Sequence, residues 1–184
     1  MSTIKGSALR SARVWLQSEL GPDLATFIES SPSDLQLLLR GQVILAGSKY
    51  PRARLHEMFE QMAKHWPKEV MTKLDRLGAY IASEDLGGVY RVLLKLGSVD
   101  GTLRVLAGVW GRYFDEGRAT LIGTQPYDYT FEVIDPSLHP MHPRLIAGYV
   151  RRAVELAGAK SATVEHQVGA RADQHLFLVR WRSA

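Results

Sequence analysis

The apolar residues of this chain first change their period at Gly117, and that change limits the folds open to it. Upstream they recur every three to four residues, the spacing of one helix face. Downstream they alternate with polar residues, the spacing of a strand with one buried face. Residues 118–123, RATLIG, read as a strand, and Pro126 marks a turn. Tyr127, Tyr129, Phe131 and Val133 then alternate with Asp128, Thr130 and Glu132. The loop PSLHPMHP follows. Leu145, Ile146, Tyr149, Val150, Ala153, Leu156 and Ala157 return to the helical period, and Gly158 closes that helix. Ala162, Val164 and Val168 alternate on a third strand; His175, Phe177, Val179 and Trp181 alternate on a fourth, and GARADQ joins them as a hairpin loop. The expectation is an α+β fold. Helices over about 1–117 pack on a β-β-α-β-β unit over about 118–182, which forms a four-stranded antiparallel sheet. The chain reads as one domain, 1–184, whose weakest joint is near residues 46–52.

Within the helical part, Ser7 is placed to cap a helix through Leu9, Val14, Trp15 and Leu16 that ends at Gly21-Pro22. Leu24, Phe27 and Ile28 predict a short helix, and Ser33 opens another over DLQLLL. The stretch QVILAGSKYP is ambiguous. Leu55, Phe59, Met62 and Trp66 predict the next helix. Pro67 fits the first turn of the one after it, which carries Val70, Leu74, Leu77 and Ile81 and breaks at Gly87-Gly88. Val89, Val92, Leu93 and Leu96 predict one more, stopped by Gly97. Asp100 is placed to cap the last, through Leu103, Leu106, Val109, Trp110, Tyr113 and Phe114 to Gly117.

Composition narrows the function classes. At 184 residues the chain can bury roughly 70% of its unfolded surface without staples. Cysteine is absent, so there is no disulfide, thiolate metal site or cysteine nucleophile. No apolar run reaches the ~20 residues of a membrane helix, and the start MSTIKGSALRSARVW lacks a signal-peptide core. These features predict a cytoplasmic protein with no membrane span. The net charge is +4, and its arginine clusters (Arg52/Arg54, Arg151/Arg152, Arg180/Arg182) form no tract. That pattern describes a solvated surface better than a nucleic-acid-binding face. Phosphate-loop, dinucleotide and hydrolase-elbow motifs are missing.

Four groups of residues carry candidate chemistry. His139-x-x-His142 could share a metal, but no third ligand lies nearby in sequence, and the plain reading is a proline-rigid loop with exposed histidines. His166 and His175 fall on one sheet face as near-diagonal neighbours if the last two strands pair, and a third ligand from the opposing helix would make a metal or haem-edge site; Val164, Val168, Phe177 and Val179 on that face argue for packing instead. Glu165 and His166 point to opposite faces and form no dyad. The aromatic set Trp110, Tyr113, Phe114, Tyr127, Tyr129, Phe131, Tyr149, Phe177 and Trp181 could converge between helix and sheet, either as plain core or as the wall of an apolar pocket.

The words LGAYIASEDLGGVYRVLLKLGS, WGRYFDEGRATLI and IAGYVRRAVELAGAKSATVEHQVGARADQHLFLVRW, with the N-terminal KGSAL, resemble an uncharacterised family of about 180–200 residues abundant in myxobacteria. The last ~70 residues also resemble the four-vinyl-reductase domain and its haem-nitric-oxide-associated relatives, which share the fold of trafficking-complex (TRAPP) subunits. The shared signature is Gly148-Tyr149 in the crossing helix, Glu165 on the third strand, and Phe177 and Trp181 near the end. Such domains often hold zinc with cysteines near the last hairpin. Val168 and Leu176 stand at those positions, and Ala172 stands for the usual glycine, so the resemblance implies that the zinc site is lost.

Together these readings predict a non-catalytic small-molecule-binding or sensory module acting through a homodimer or a protein partner. Its ligand would be small and hydrophobic. The expected pocket is Trp110, Tyr113, Phe114, Tyr129, Tyr149, His166, His175 and Phe177, with no catalytic residue, no metal and no cofactor. The alternative is a signalling or structural adaptor with a filled core and a protein-docking surface.

Overall fold

A computed structural model describes residues 2–87, 98–125 and 127–182. Its helices are α1 (Gly6–Leu20), α2 (Leu24–Glu29), α3 (Ser33–Leu39), α4 (Ala53–His65), α5 (Val70–Gly87), α6 (Val99–Tyr113) and α7 (His142–Leu156). Its strands are β1 (Thr3–Lys5), β2 (Lys49–Pro51), β3 (Arg118–Gln125), β4 (Asp128–Ile134), β5 (Lys160–Val168) and β6 (Gln174–Arg182). The helix expected at residues 89–96 lies outside the described residues.

Each long helix forms because its apolar residues keep the helical period, and each buries that face. In α1 the buried side chains are Ala8, Leu9, Ala12, Trp15, Leu16 and Leu20. In α5 they are Val70, Leu74, Leu77, Ile81, Ala82 and Leu86. Burying one such leucine or isoleucine contributes about 1.5–3 kcal/mol before the cost of ordering it. The cap of α6 differs from expectation: Ser98 is the capping residue, its hydroxyl accepting the Gly101 N–H at 3.1 Å. Asp100 sits inside the first turn and pairs with Arg104 at 3.0 Å. Phe114 has left the helix for an extended conformation, and Gly117 takes a φ of 78° where the chain turns into β3, a value glycine adopts without strain.

The four-stranded sheet is antiparallel with the order β3-β4-β6-β5. Its hairpins pair as the alternation requires, and β-β-α-β-β places β6 between β4 and β5. Register brings Phe131 opposite Phe177 and Tyr129 opposite Val179; His166 lies opposite Phe177 and Val168 opposite His175. Phe131, Val133, Phe177 and Val179 form the buried centre of the inner face. Helix α7 covers β5 and β6, α6 lies on β3, and α5 packs along α7.

A second, two-stranded sheet was not foreseen. Strand β1 pairs with β2, Ile4 facing Tyr50, and Ile4 also bridges to Phe114. Three-residue strands contain too few alternations to show a period, so the ambiguous stretch before Pro51 concealed this one. Helices α5 and α7 meet at two glycines. A Cβ on Gly78 would strike the Leu145 carbonyl, and one on Gly148 would strike the Asp75 carbonyl. The two backbones therefore touch with no side chain between them.

Candidate functional site

Between α6, α7 and β4 the core leaves a cavity of about 80 Å³. Helix α6 supplies Leu106, Val109, Trp110 and Tyr113, and Phe114 follows them at the helix end. Helix α7 supplies Leu145, Ile146, Tyr149 and Val150. Ile4, Ala8, Leu55, Ile81 and Phe131 close the remaining sides, and His142 adds one imidazole. Trp110 and Phe114 lie ring against ring, 4.6 Å between centroids. Val109, Tyr113 and Tyr149 are half-buried, so the cavity approaches solvent on that side.

The tyrosine hydroxyls are tied outside the lining. Tyr113 Oη donates to Asp85 Oδ2 at 3.0 Å, and Tyr149 reaches the same carboxyl. Burial pushes the Asp85 carboxyl up from its ordinary value, while the two phenols and Lys5 pull it back. The cavity wall that remains is almost entirely carbon.

Four of the eight residues expected at the pocket, Trp110, Tyr113, Phe114 and Tyr149, stand on its wall. The other four lie elsewhere. Phe177 is fully buried behind the wall, against Phe131. Tyr129 stacks on Trp181 at 5.4 Å beside a shallow depression with Ser98 and Asp100. His166 and His175 form their own pair on the sheet, Nε2 of His166 lying 3.0 Å from Nδ1 of His175. Burial holds both imidazoles below their ordinary range.

His142 departs most from the expected picture of an exposed loop histidine: it is buried and opens α7 just before Pro143. Arg52 lies 3.5 Å from its Nδ1. A guanidinium can only donate, so Nδ1 is the acceptor and the proton sits on Nε2. Burial first, and the Arg52 charge second, hold His142 well below the ordinary imidazole range. Arg52 in turn pairs with Asp135 at 2.8 Å, neither side chain exposed, and its guanidinium lies 4.5 Å from the Phe114 ring centroid. Two of its nitrogens, Nε and Nη1, have no hydrogen-bond partner among the described residues. Spacing along the chain could not show this cluster, because Arg52 comes ninety residues before His142.

His139, three residues before His142, goes a different way. Its Nδ1 accepts the Met141 N–H at 3.2 Å and its Nε2 faces Glu60 at 2.8 Å. Its ring lies 5.0 Å from that of His56, whose pKa is lowered to about 4 by burial, by His139 and by Arg52. The two histidines of the His-x-x-His pair therefore serve separate neighbours. Among the described residues no group of three or more His, Cys, Asp or Glu side chains is arranged to hold a metal ion.

No protein-family profile and no curated protein sequence matches the chain. Solved structures do. An Fe(II) unliganded H-NOX protein from K. algicida superposes with a TM-score of 0.73 at 11% identity, over 98% of both chains. An H-NOX protein from S. oneidensis in the Fe(II)NO ligation state gives 0.71 at 12% identity, over 98% of this chain and 100% of that one. An oxygen binding H-NOX domain related to soluble guanylate cyclases gives 0.71 at 11% identity, over 98% and 96%. This chain has the fold of H-NOX domains. At such identities the likeness is one of fold. The matches lend no support to the four-vinyl-reductase or TRAPP-like resemblance, nor to a myxobacterial origin. Among the described residues no helix is long and apolar enough to cross a membrane.

Proposed function

We propose that this chain is a non-catalytic ligand-binding module of the sensory type. The observation that carries this reading is an apolar cavity between helices and sheet, walled by Trp110, Tyr113, Phe114 and Tyr149, in a fold shared with domains solved with oxygen or nitric oxide bound. Binding there would shift the balance between two arrangements of the helices, and a partner or a second copy would read the shift. The whole chain acts as one unit in this reading. The lining is almost entirely apolar, with His142 as its one imidazole.

The H-NOX neighbours include structures concerned with haem. The residues of this cavity do not fit that group. A cavity of about 80 Å³ is roughly half the volume of an engineered cavity that holds benzene, and a porphyrin is several times larger than benzene. Among the described residues no Lys or Arg lines the cavity to meet the two carboxylates of haem.

Native mass spectrometry of protein purified from its own host, against its denatured mass, tests the reading. A bound small molecule supports it. An apo mass in a stable complex with another protein would favour the adaptor alternative, in which the core is simply filled.

A further inference from the structure

We infer that the cavity is a site for a small uncharged apolar molecule, no larger than a single ring, and that α6 is the wall that yields when it enters. This rests on the ligand-binding reading above and names the class of ligand.

Size and chemistry set the class. The volume of about 80 Å³ admits an atom-sized or few-atom guest without rearrangement. The lining is hydrocarbon and aromatic carbon, with both tyrosine hydroxyls already bound to Asp85. A charged or strongly polar guest would lose its water against a lining that is almost all carbon, which costs several kcal/mol. Cavities lined this way stay dry and bind apolar guests such as xenon and benzene.

The walls differ in their freedom. Helices α5 and α7 are locked, since Gly78 and Gly148 bring their backbones into contact. The Ile4 wall is held by pairing to Tyr50 and to Phe114. Among the described residues the body of helix α6 has no glycine contact of this kind. Its glycines 108 and 111 have nothing within reach of a Cβ, and its far side, with Arg104 and Val105, faces solvent. Apart from the Ile4–Phe114 bridge at its end, its tethers are single side-chain contacts: Tyr113 to Asp85, Lys49 to the Arg112 carbonyl, Asp100 to Tyr129 and Trp110 Nε1 to the Glu116 carbonyl. A guest larger than the resting cavity therefore moves the body of α6 about its end, where Phe114 bridges to Ile4 and Asp115 accepts from Thr3.

The test uses the full chain with labelled methyl groups and backbone amides, followed by NMR. Xenon is the probe for the native protein, and benzene for Leu106→Ala, which enlarges the cavity. Leu106→Trp fills it, and Ala8→Leu serves as a second filling variant should the first fail to fold. Xenon is expected to shift the Leu106, Ile146 and Val150 methyls and to lose at least tenfold in affinity in a folded filled variant. Benzene is expected to bind Leu106→Ala with amide shifts concentrated in α6 and the start of β3. A parallel haemin titration is expected to give no one-to-one Soret band. A stoichiometric haem complex would overturn the ligand class while leaving the ligand-binding reading intact. Xenon and benzene binding that ignores the filling variants, or shifts spread equally through α5 and α7, would overturn the site or its moving wall. No binding by any probe would overturn both readings.

Discussion

Arg52 and Asp135 form an ion pair 2.8 Å long from which solvent is wholly excluded. The pair ties the start of α4 to the end of β4, and His142 and Phe114 complete its surroundings. It closes the cavity's polar corner without opening it to water. The carboxylate also accepts the Ser137 N–H at 2.9 Å, so Asp135 shapes the loop that leads into α7.

Removing one member strands the other. Arg52→Met leaves Asp135 charged and buried, and is expected to cost about 3–5 kcal/mol of stability. The double variant Arg52→Met, Asp135→Leu should recover most of that loss. Urea unfolding of both variants, followed by circular dichroism, measures the difference. Equal stability of the single variant and the native chain would show that the pair contributes nothing net.

Acid should weaken the fold from about pH 6.5 downward, because its buried histidines resist protonation. The folded-state pKa of His56 is about 4, against an ordinary 6.5. Above pH 6.5 both states are neutral there and the folded state bears no penalty. Between 6.5 and about 4 the unfolded chain takes up a proton that the folded chain refuses, so stability falls as pH falls. His142, His166 and His175 are depressed as well and act in the same direction. Urea midpoints at pH 7 and pH 5 should drop accordingly, and His56→Leu should shrink the drop.

The two helix glycines of α5 and α7 and the open glycine of α6 should respond in opposite ways. Gly148→Ala drives a Cβ into the Asp75 carbonyl, and overpacking of this kind costs about 1–3 kcal/mol or more. Gly108→Ala meets empty space on an exposed turn of α6 and should gain about 1 kcal/mol from helix propensity. Thermal unfolding of the two variants separates these effects by sign.

Capping of α6 provides a local test. Ser98→Ala removes the hydroxyl that accepts the Gly101 N–H and should cost about 1 kcal/mol. Asp100→Ala, made beside Tyr129→Phe to remove the Tyr129 hydrogen bond to the same carboxylate, removes an exposed pairing with Arg104 and should lose less, because solvent screens that pair. A larger loss for Asp100→Ala would return the cap to that residue.

Most of the secondary structure was legible because period is a local property. Leu103, Leu106 and Trp110 declare a helix face within a few residues, and Tyr129, Phe131 and Val133 declare a strand. The His166–His175 neighbourhood was legible too, since a short hairpin loop fixes which residues lie diagonally. The Ser98 cap was missed because serine and aspartate are equally good caps in sequence, and only the backbone path chooses between them.

The cavity was half legible. Trp110, Tyr113, Phe114 and Tyr149 could be nominated because aromatic residues on two amphipathic helices must meet something. Ile4, Ala8 and His142 could not, because distant segments bring them there. The sequence by itself determined most of the residues that turn inward along each helix and strand, through spacing alone; Val14 and Val168, at inward spacings, are exposed because no neighbouring element among the described residues covers them. The tertiary structure decided which inward faces meet, that His142 is buried against Arg52 rather than exposed, and that glycine contact locks α5 to α7 while α6 keeps its freedom. Those outcomes depend on packing between segments far apart in the chain, and no local period encodes them.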